Sequence, residues 1–492
     1  MKRGLLRASA LAAGLPLALL AGCTVGPDYR APAVMTGKAP VPPLATQGAA
    51  AFEAARPLPA HWWHLYDDPR LDALVDKALV HNTDLRVALA TLEQTRAQLR
   101  EIEVQRTPQT GLTVDPSYAK LSGDARGVGQ SISPTAIYDA AASLSYNLDL
   151  FGQLRRSVEA GRADVGAAQA ALDLARVNVV GQTASAYASV CSAGLQIAVT
   201  QRSIAVARHA LDVTQRRFDA GIAGANDVVR ARTLLRQTEA GLPGLDAARQ
   251  AALFTLATLT GDTPEAFPAA VATCATPPLV RQPIPVGDGA ALLARRPDVR
   301  QAERSLAAAV ATIGVSTAGL YPSVSLGGSF GTTATALGHV SQSRAFHWSV
   351  GPLITWHVPN LSAARAQIAG SNAAARGALA RFDGTVLTAL RESDTALVRL
   401  ARQMDNERAL GAARDDAATA QRNVERLYAG GVGEFLDTLD AERTLIQSEN
   451  SLAQATAQVS QDQVSLFMAL GGGWEDAPAV EGTALDGVEQ GK

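Results

Sequence analysis

Proline is absent from two long stretches of this 492-residue chain: none lies between Pro134 and Pro243, and none between Pro359 and Pro478. Proline breaks helices, so its absence leaves room for helices far longer than one core requires. Aromatic residues make up only 5%, although hydrophobic residues reach 47%. The apolar content is chiefly Ala, Leu and Val, which favours helix. The formal net charge is −2 and no stretch is basic enough to track a phosphate backbone, so no nucleic acid partner is expected. There is no Ser/His/Asp set, Walker motif or carboxylate pair in a convincing pocket, so the chain is read as a non-enzyme with no catalytic residue. Gly471-Gly472-Gly473 reads as a helix end rather than a phosphate loop. His61 and His64 bracket Trp62 and Trp63 with no further ligands nearby, so no metal site is assigned.

What is present begins at the N-terminus. Lys2, Arg3 and Arg7 form a positive region and Leu11 to Leu20 an apolar one, which together read as a signal peptide over residues 1–22. Leu20-Ala21-Gly22-Cys23 resembles a bacterial lipobox. That resemblance makes Cys23 the first mature residue, carrying diacylglycerol on its sulfur and an acyl chain on its amino group. Several chains together give a stable anchor. Thr24 stands where Asp would hold such a lipoprotein at the inner membrane, so the pattern points to the outer membrane. Cys191 sits in an Ala/Ser-rich helical stretch and Cys274 in a Pro-rich linker. They read as separate thiols with packing roles. An oxidising compartment permits a disulfide, but nothing in the sequence brings the two within reach.

The chain is written twice. Asn82-Thr-Asp84-Leu-Arg86 corresponds to Arg296-Pro-Asp298-Val-Arg300 at an offset of 214, which Pro108 and Pro322 keep. The offset then becomes 210 and holds: Arg155 matches Arg365, Gly221 matches Gly431, Asp227 matches Asp437 and Gly261 matches Gly471. Each copy reads helix, strand, loop, strand, very long helix, tight turn, helix. At 1.5 Å per residue the long helices reach roughly 100 Å. Leu154, Val158, Gly161, Val165, Ala168 and Leu172 alternate steps of four and three, a coiled-coil seam. Pro243 is expected to kink the return helix of the first copy. Val177 to Gln201 carries no charge, but Asn178, Gln182, Thr183 and Ser185 argue for helix packed on helix rather than a membrane span.

Four segments alternate. Val324, Leu326 and Phe330 oppose Ser323, Ser325 and Ser329; Phe346, Trp348, Val350, Ile354 and Trp356 oppose His347, Ser349, Gly351 and Thr355, with Leu353 out of step. Leu144, Tyr146 and Leu148 form a third segment. Leu112, Val114 and Tyr118, interrupted by Pro116, form the weakest. Alternation alone suits a soluble sheet as well as a membrane barrel. In lipid, four strands leave two unpaired edges, so several chains must share a barrel; three chains give twelve strands and a pore.

Three further stretches join the N-terminal run Cys23-Thr-Val-Gly-Pro-Asp-Tyr29 in one pattern: Trp62-Trp63, Leu148-Asp-Leu-Phe-Gly152, and the tip from Tyr428 to Ala441. In this order, and with the repeat, the whole mature chain resembles the TolC-like outer-membrane factors of tripartite efflux systems, in their lipoprotein branch. The resemblance implies a mainly helical fold: long coiled-coil helices form a periplasmic α-barrel, and four strands per chain contribute to a trimeric twelve-stranded β-barrel. It implies an outer-membrane location and a homotrimer that conducts drugs and toxic small molecules. The expected partners are a periplasmic adaptor protein, an inner-membrane pump of RND or MFS type and outer-membrane lipid, with no cofactor beyond the lipid on Cys23. The units expected are a signal peptide 1–22, a lipidated extended segment 23–66, a first repeat 67–264, an equatorial linker 265–287, a second repeat 288–473 and a flexible tail 474–492. Within the first repeat fall a strand pair near 110–149 and helices 152–218 and 225–260. Within the second fall a strand pair near 322–356 and helices 362–429 and 434–470.

The resemblance also implies site roles. Asp437 and Asp440 fall on the aperture segment, with Leu436 as an apolar constriction, Tyr428 beside them, and Arg230 at the first-copy position equivalent to Asp440. Gly221, Gly224, Gly431 and Gly433 sit where helices reverse, at tips that would dock the adaptor. Tyr118, Tyr138, Phe346, Trp348 and Trp356 would form interfacial girdles. A helical structural or adhesive surface lipoprotein is the rival reading, but it leaves the paired alternating segments unexplained.

Overall fold

The structure, a computed structural model, describes residues 24–36, 44, 51–54, 56–122, 124, 129–356 and 361–480. The expected signal peptide, Cys23 and most of the expected C-terminal tail lie outside the described residues. Contacts divide the chain into two compact units. One holds the segment ending at Ala31 with Glu93–Ala167 and Ala302–Phe382, and the other holds the remainder.

Apart from a one-turn helix at Ala269–Ala272 and short 3-10 turns, the helices among the described residues are α1 (Pro69–His81), α2 (Thr83–Val104), α3 (Gln153–Asp219), α4 (Ala225–Ala240), α5 (Leu242–Leu259), α6 (Gly289–Arg295), α7 (Pro297–Ala318), α8 (Leu361–Ala429) and α9 (Phe435–Ala469). The proline-free stretches become α3, of 67 residues, and α8, of 69. Among the described residues no helix is long and apolar enough to cross a membrane. The uncharged run of α3 is instead packed inside the second unit: Tyr187, Ala188 and Val190 are fully buried, and the amide of Gln461 donates to the Ser185 carbonyl and the Ser189 hydroxyl, each at 2.9 Å.

Local chemistry sets the ends. Asp68 caps α1 by accepting from the Arg70 amide at 3.0 Å, with Pro69 in the first turn where no intrahelical donor is lost. Asp149 takes the backbone amides of Leu154 at 2.8 Å and Arg155 at 3.0 Å, so the Leu148–Gly152 motif is the cap of α3. The stretch expected to run as one kinked helix from 225 to 260 is two helices. They part at Gly241, and Pro243 opens the second, where its missing N–H costs nothing.

One further expectation is corrected. Cys191 and Cys274 form a disulfide, their Cα atoms 4.7 Å apart. Gly194, one turn along α3, makes the approach possible: a Cβ there would sit 2.0 Å from the Cys274 carbonyl oxygen.

In the first unit four strands form one antiparallel sheet: β1 (Gln109–Ala119), β2 (Thr135–Asn147), β3 (Ser323–Ala334) and β4 (Phe346–Thr355), paired in chain order. The β2–β3 ladder welds the hairpins of the two copies together.

Candidate functional site

The sheet has two unlike faces. Leu112, Ala142, Phe330 and Trp348 stand in one cross-strand row, Val114, Ala140, Thr332 and Phe346 in the next, and Tyr146, Leu326 and Pro352 further along. The opposite face carries Gly111, Ser143, Ser329 and Ser349 in one row and Asp115, Asp139 and Thr333 in another. There Ser329 and Ser349 share a 2.8 Å hydrogen bond and the Thr333 hydroxyl donates to Asp139. Leu353, out of step in the sequence, pairs with Ser325 on the polar face. The apolar face is bare: Leu112 is 79% exposed and Trp348 74%. So much contiguous apolar surface calls for a covering medium. The strands, at 10 to 13 residues, match a tilted bilayer crossing. Along the apolar face Tyr118, Tyr138 and Phe346 lie toward one end of the strands and Trp356 at the other, where its indole N–H donates to the Leu320 carbonyl at 3.2 Å. Trp348 lies one row further in than Phe346. The outer edges of β1 and β4 have no partner strand among the described residues.

The chain that follows Cys23 is tied down in the same unit. Arg156, only 3% exposed, donates to the carbonyls of Val25 at 3.2 Å and Gly26 at 3.4 Å, and binds Asp28 and Glu159, each at 2.7 Å. Gly26 has a φ of +90° and lies on Gly314, where a Cβ would come within 2.4 Å of the Gly314 Cα. Tyr29 donates its hydroxyl to Glu303, and burial together with that carboxylate pushes the phenol far above its usual pKa. The signal for this lock was the glycine and tyrosine of the N-terminal motif; their partners were not legible.

The hairpin tips lie in the second unit and repeat each other. The amides of Gly221 and Ile222 donate to Phe218 and Arg217, and those of Gly431 and Val432 to Tyr428 and Leu427. Gly221 and Gly431 take φ of +74° and +78°, the left-handed step that ends a long helix. Gly224 and Gly433 do not share that conformation: Gly224 precedes α4, where its amide donates to Asp227 at 3.2 Å. Ile222, 68% exposed, and Val432, 82% exposed, project from the two turns; neither was singled out in the sequence.

Behind the second tip, Leu436, Asp437 and Asp440 are all exposed on α9, while Thr438 and Leu439 between them are buried. Leu439 packs on Ile204, Ala207, Leu234 and Leu235, which fixes the outward face. Arg230 is exposed on α4, and among the described residues it pairs with neither aspartate. Tyr428 lies under the Arg217 guanidinium, 4.2 Å from ring to charge. Sequence reading missed Glu442. Its carboxyl is buried, with Oε2 lacking a hydrogen-bond partner among the described residues, and desolvation first and Glu425 second push its pKa up to about 7.

A family model described as outer membrane efflux protein matches residues 74–262 and 290–472. Nodulation protein T of Rhizobium leguminosarum bv. viciae is 30% identical over 469 residues, covering 95% of this chain and 94% of that protein. The toluene efflux pump outer membrane protein TtgC of Pseudomonas putida is 29% identical over 461 residues, covering 93% and 94%. The solved structure of the outer-membrane channel OprN is 34% identical with a TM-score of 0.85, covering 92% of this chain and 100% of that one.

Proposed function

The chain belongs to the outer membrane efflux protein family and is an outer-membrane efflux channel; from that premise we propose that three copies close one twelve-stranded barrel, with the Ser- and Gly-rich face lining a passive pore and the apolar face against lipid. One observation carries this reading: a four-stranded sheet, apolar on one face and polar on the other, with two open edges. Open edges in hydrocarbon cost several kcal/mol for each unmet backbone group, and closure removes them.

Tyr118, Tyr138, Phe346, Trp348 and Trp356 anchor the barrel at the headgroups. Leu436, Asp437 and Asp440, with Tyr428 and Arg230 nearby, line the periplasmic aperture. The tips at Gly221, Gly224, Gly431 and Gly433 present Ile222 and Val432 to a periplasmic adaptor that links the channel to an inner-membrane pump of RND or MFS type. Membership of a pump in the name of the Pseudomonas putida relative supports that partnership. Cys23 carries the lipid, and the Arg156 clamp holds the chain next to it.

Detergent-solubilised protein is expected to have the mass of three chains by light scattering. A monodisperse monomer with an intact β signal would sink the shared barrel. Cys23→Ser is expected to abolish palmitate labelling while leaving the protein able to form channels; labelling that survives the substitution overturns the lipobox assignment.

A further inference from the structure

We infer that the second unit holds a binding pocket for a small anionic amphiphile, placed where the linker crosses helices of both copies; this goes beyond conduction. The pocket has a volume of about 300 Å³, at the lower end of the range for small-molecule sites. Its walls are Leu195 and Val199 of α3, Leu279 of the linker, and Leu452 and Ala453 of α9. They form an apolar floor to a recess that is open to solvent on one side, suited to a hydrocarbon or ring. Three guanidinium groups, Arg202, Arg281 and Arg414, border it against one carboxylate, Glu449. Arg414 already leans on Asp415 at 2.9 Å. Arg202 and Arg281 are exposed and form no ion pair among the described residues.

An apolar recess edged by two unneutralised guanidinium groups has a definite chemical complement. A planar carboxylate, phosphate or sulfonate meets the guanidinium fork through two parallel charge-assisted hydrogen bonds, which a neutral head cannot reproduce. A cationic amphiphile would be repelled by the same groups. The pocket is also preformed. The linker is bonded to α3 through Cys274, its Pro278 carbonyl accepts from Ser460 at 2.7 Å, and Val280 exchanges two 2.9 Å hydrogen bonds with the Gln463 amide. With the linker pinned at three points, a ligand need not order its own site, and more of its contact energy appears as affinity.

The test uses the full chain in amphipol, with hexanoate and hexanol as matched probes and saturation-transfer NMR as the readout. Hexanoate is expected to bind, and hexanol to bind about tenfold more weakly or not at all. The double variant Arg202→Ala/Arg281→Ala is expected to bind hexanoate no better than the wild type binds hexanol. Leu452→Trp, which fills the recess and leaves the charges, is expected to abolish binding of both, with circular dichroism confirming the fold. Equal affinity for hexanoate and hexanol, or hexanoate binding unchanged in the arginine double variant, overturns the proposal. So does binding unchanged in a folded Leu452→Trp, which would place the anion on surface charge alone.

Discussion

Asn82 and Arg296 occupy equivalent places in the two copies and do the same work with different chemistry. The Asn82 amide donates to the Leu259 carbonyl at 2.9 Å, while the Arg296 guanidinium donates to the Ala469 carbonyl at 2.7 Å. Leu259 and Ala469 are themselves 210 apart, each ending a return helix. A repeat thus conserves a task rather than a residue. Glu442 has no such twin, since Arg232 stands in its place in the first copy. Its neutral form fits between Leu439 and Ile446 on the buried face of α9. Because its folded pKa, about 7, exceeds the ordinary 4.5, protonation favours the folded state. That stabilisation is full below about pH 4.5 and is lost as pH rises through 7. Glu442→Gln should therefore raise stability at pH 8 by up to about 3 kcal/mol and flatten the melting profile between pH 5 and 8. Parallel melting curves for the variant and the wild type across that range would show that Glu442 is solvated.

At the scale of elements, the long helices, the strand alternation and the turn glycines Gly221 and Gly431 were legible because each rests on local rules: missing proline, period two, positive φ. The disulfide was not legible, because it depends on where the linker lies against α3. The only trace was Gly194, one turn from Cys191 in an otherwise Ala- and Ser-rich helix, and a lone glycine has many meanings. Glu442 stayed hidden for a similar reason: its spacing is that of any solvated helix carboxylate, and only the packing of α3, α4 and α9 buries that face. The helix break at Gly241 was misplaced onto Pro243 because proline is tolerated in a first turn. The Cys191–Cys274 bond spans a sequence separation of 83, for which the chain-entropy model gives about 4–5 kcal/mol. Cys191→Ser/Cys274→Ser should lower the melting temperature markedly, and a reductant should lower that of the wild type but not of the variant. A double variant that melts with the wild type would mean that Ser460 and Gln463 alone hold the linker.

For the whole molecule, threefold repetition turns single side chains into rings. Asp437 and Asp440, three apart on one exposed face of α9, become six carboxylates around one axis in the proposed trimer. Leu439 packs inward, which leaves that face exposed on the single chain; the proposed trimer turns it to the axis. A ring of like charge in a narrow pore concentrates cations and attracts divalent ions. One unit charge at 4 Å in water is worth about 1 kcal/mol, or about fivefold, so Asp437→Ala/Asp440→Ala, which removes all six charges, should reduce cation preference by at least about fivefold in planar bilayers and weaken block by divalent ions. Arg230 is exposed on α4 and, among the described residues, pairs with neither aspartate; we propose that in the trimer it pairs with Asp440 of a neighbouring copy. Losing that pair would raise the open fraction, an effect separable from selectivity because Arg230→Ala should reproduce the opening while leaving the carboxylate ring intact. A double aspartate variant with wild-type selectivity, divalent block and conductance would put these residues outside the pore, even if the trimer and the barrel stand.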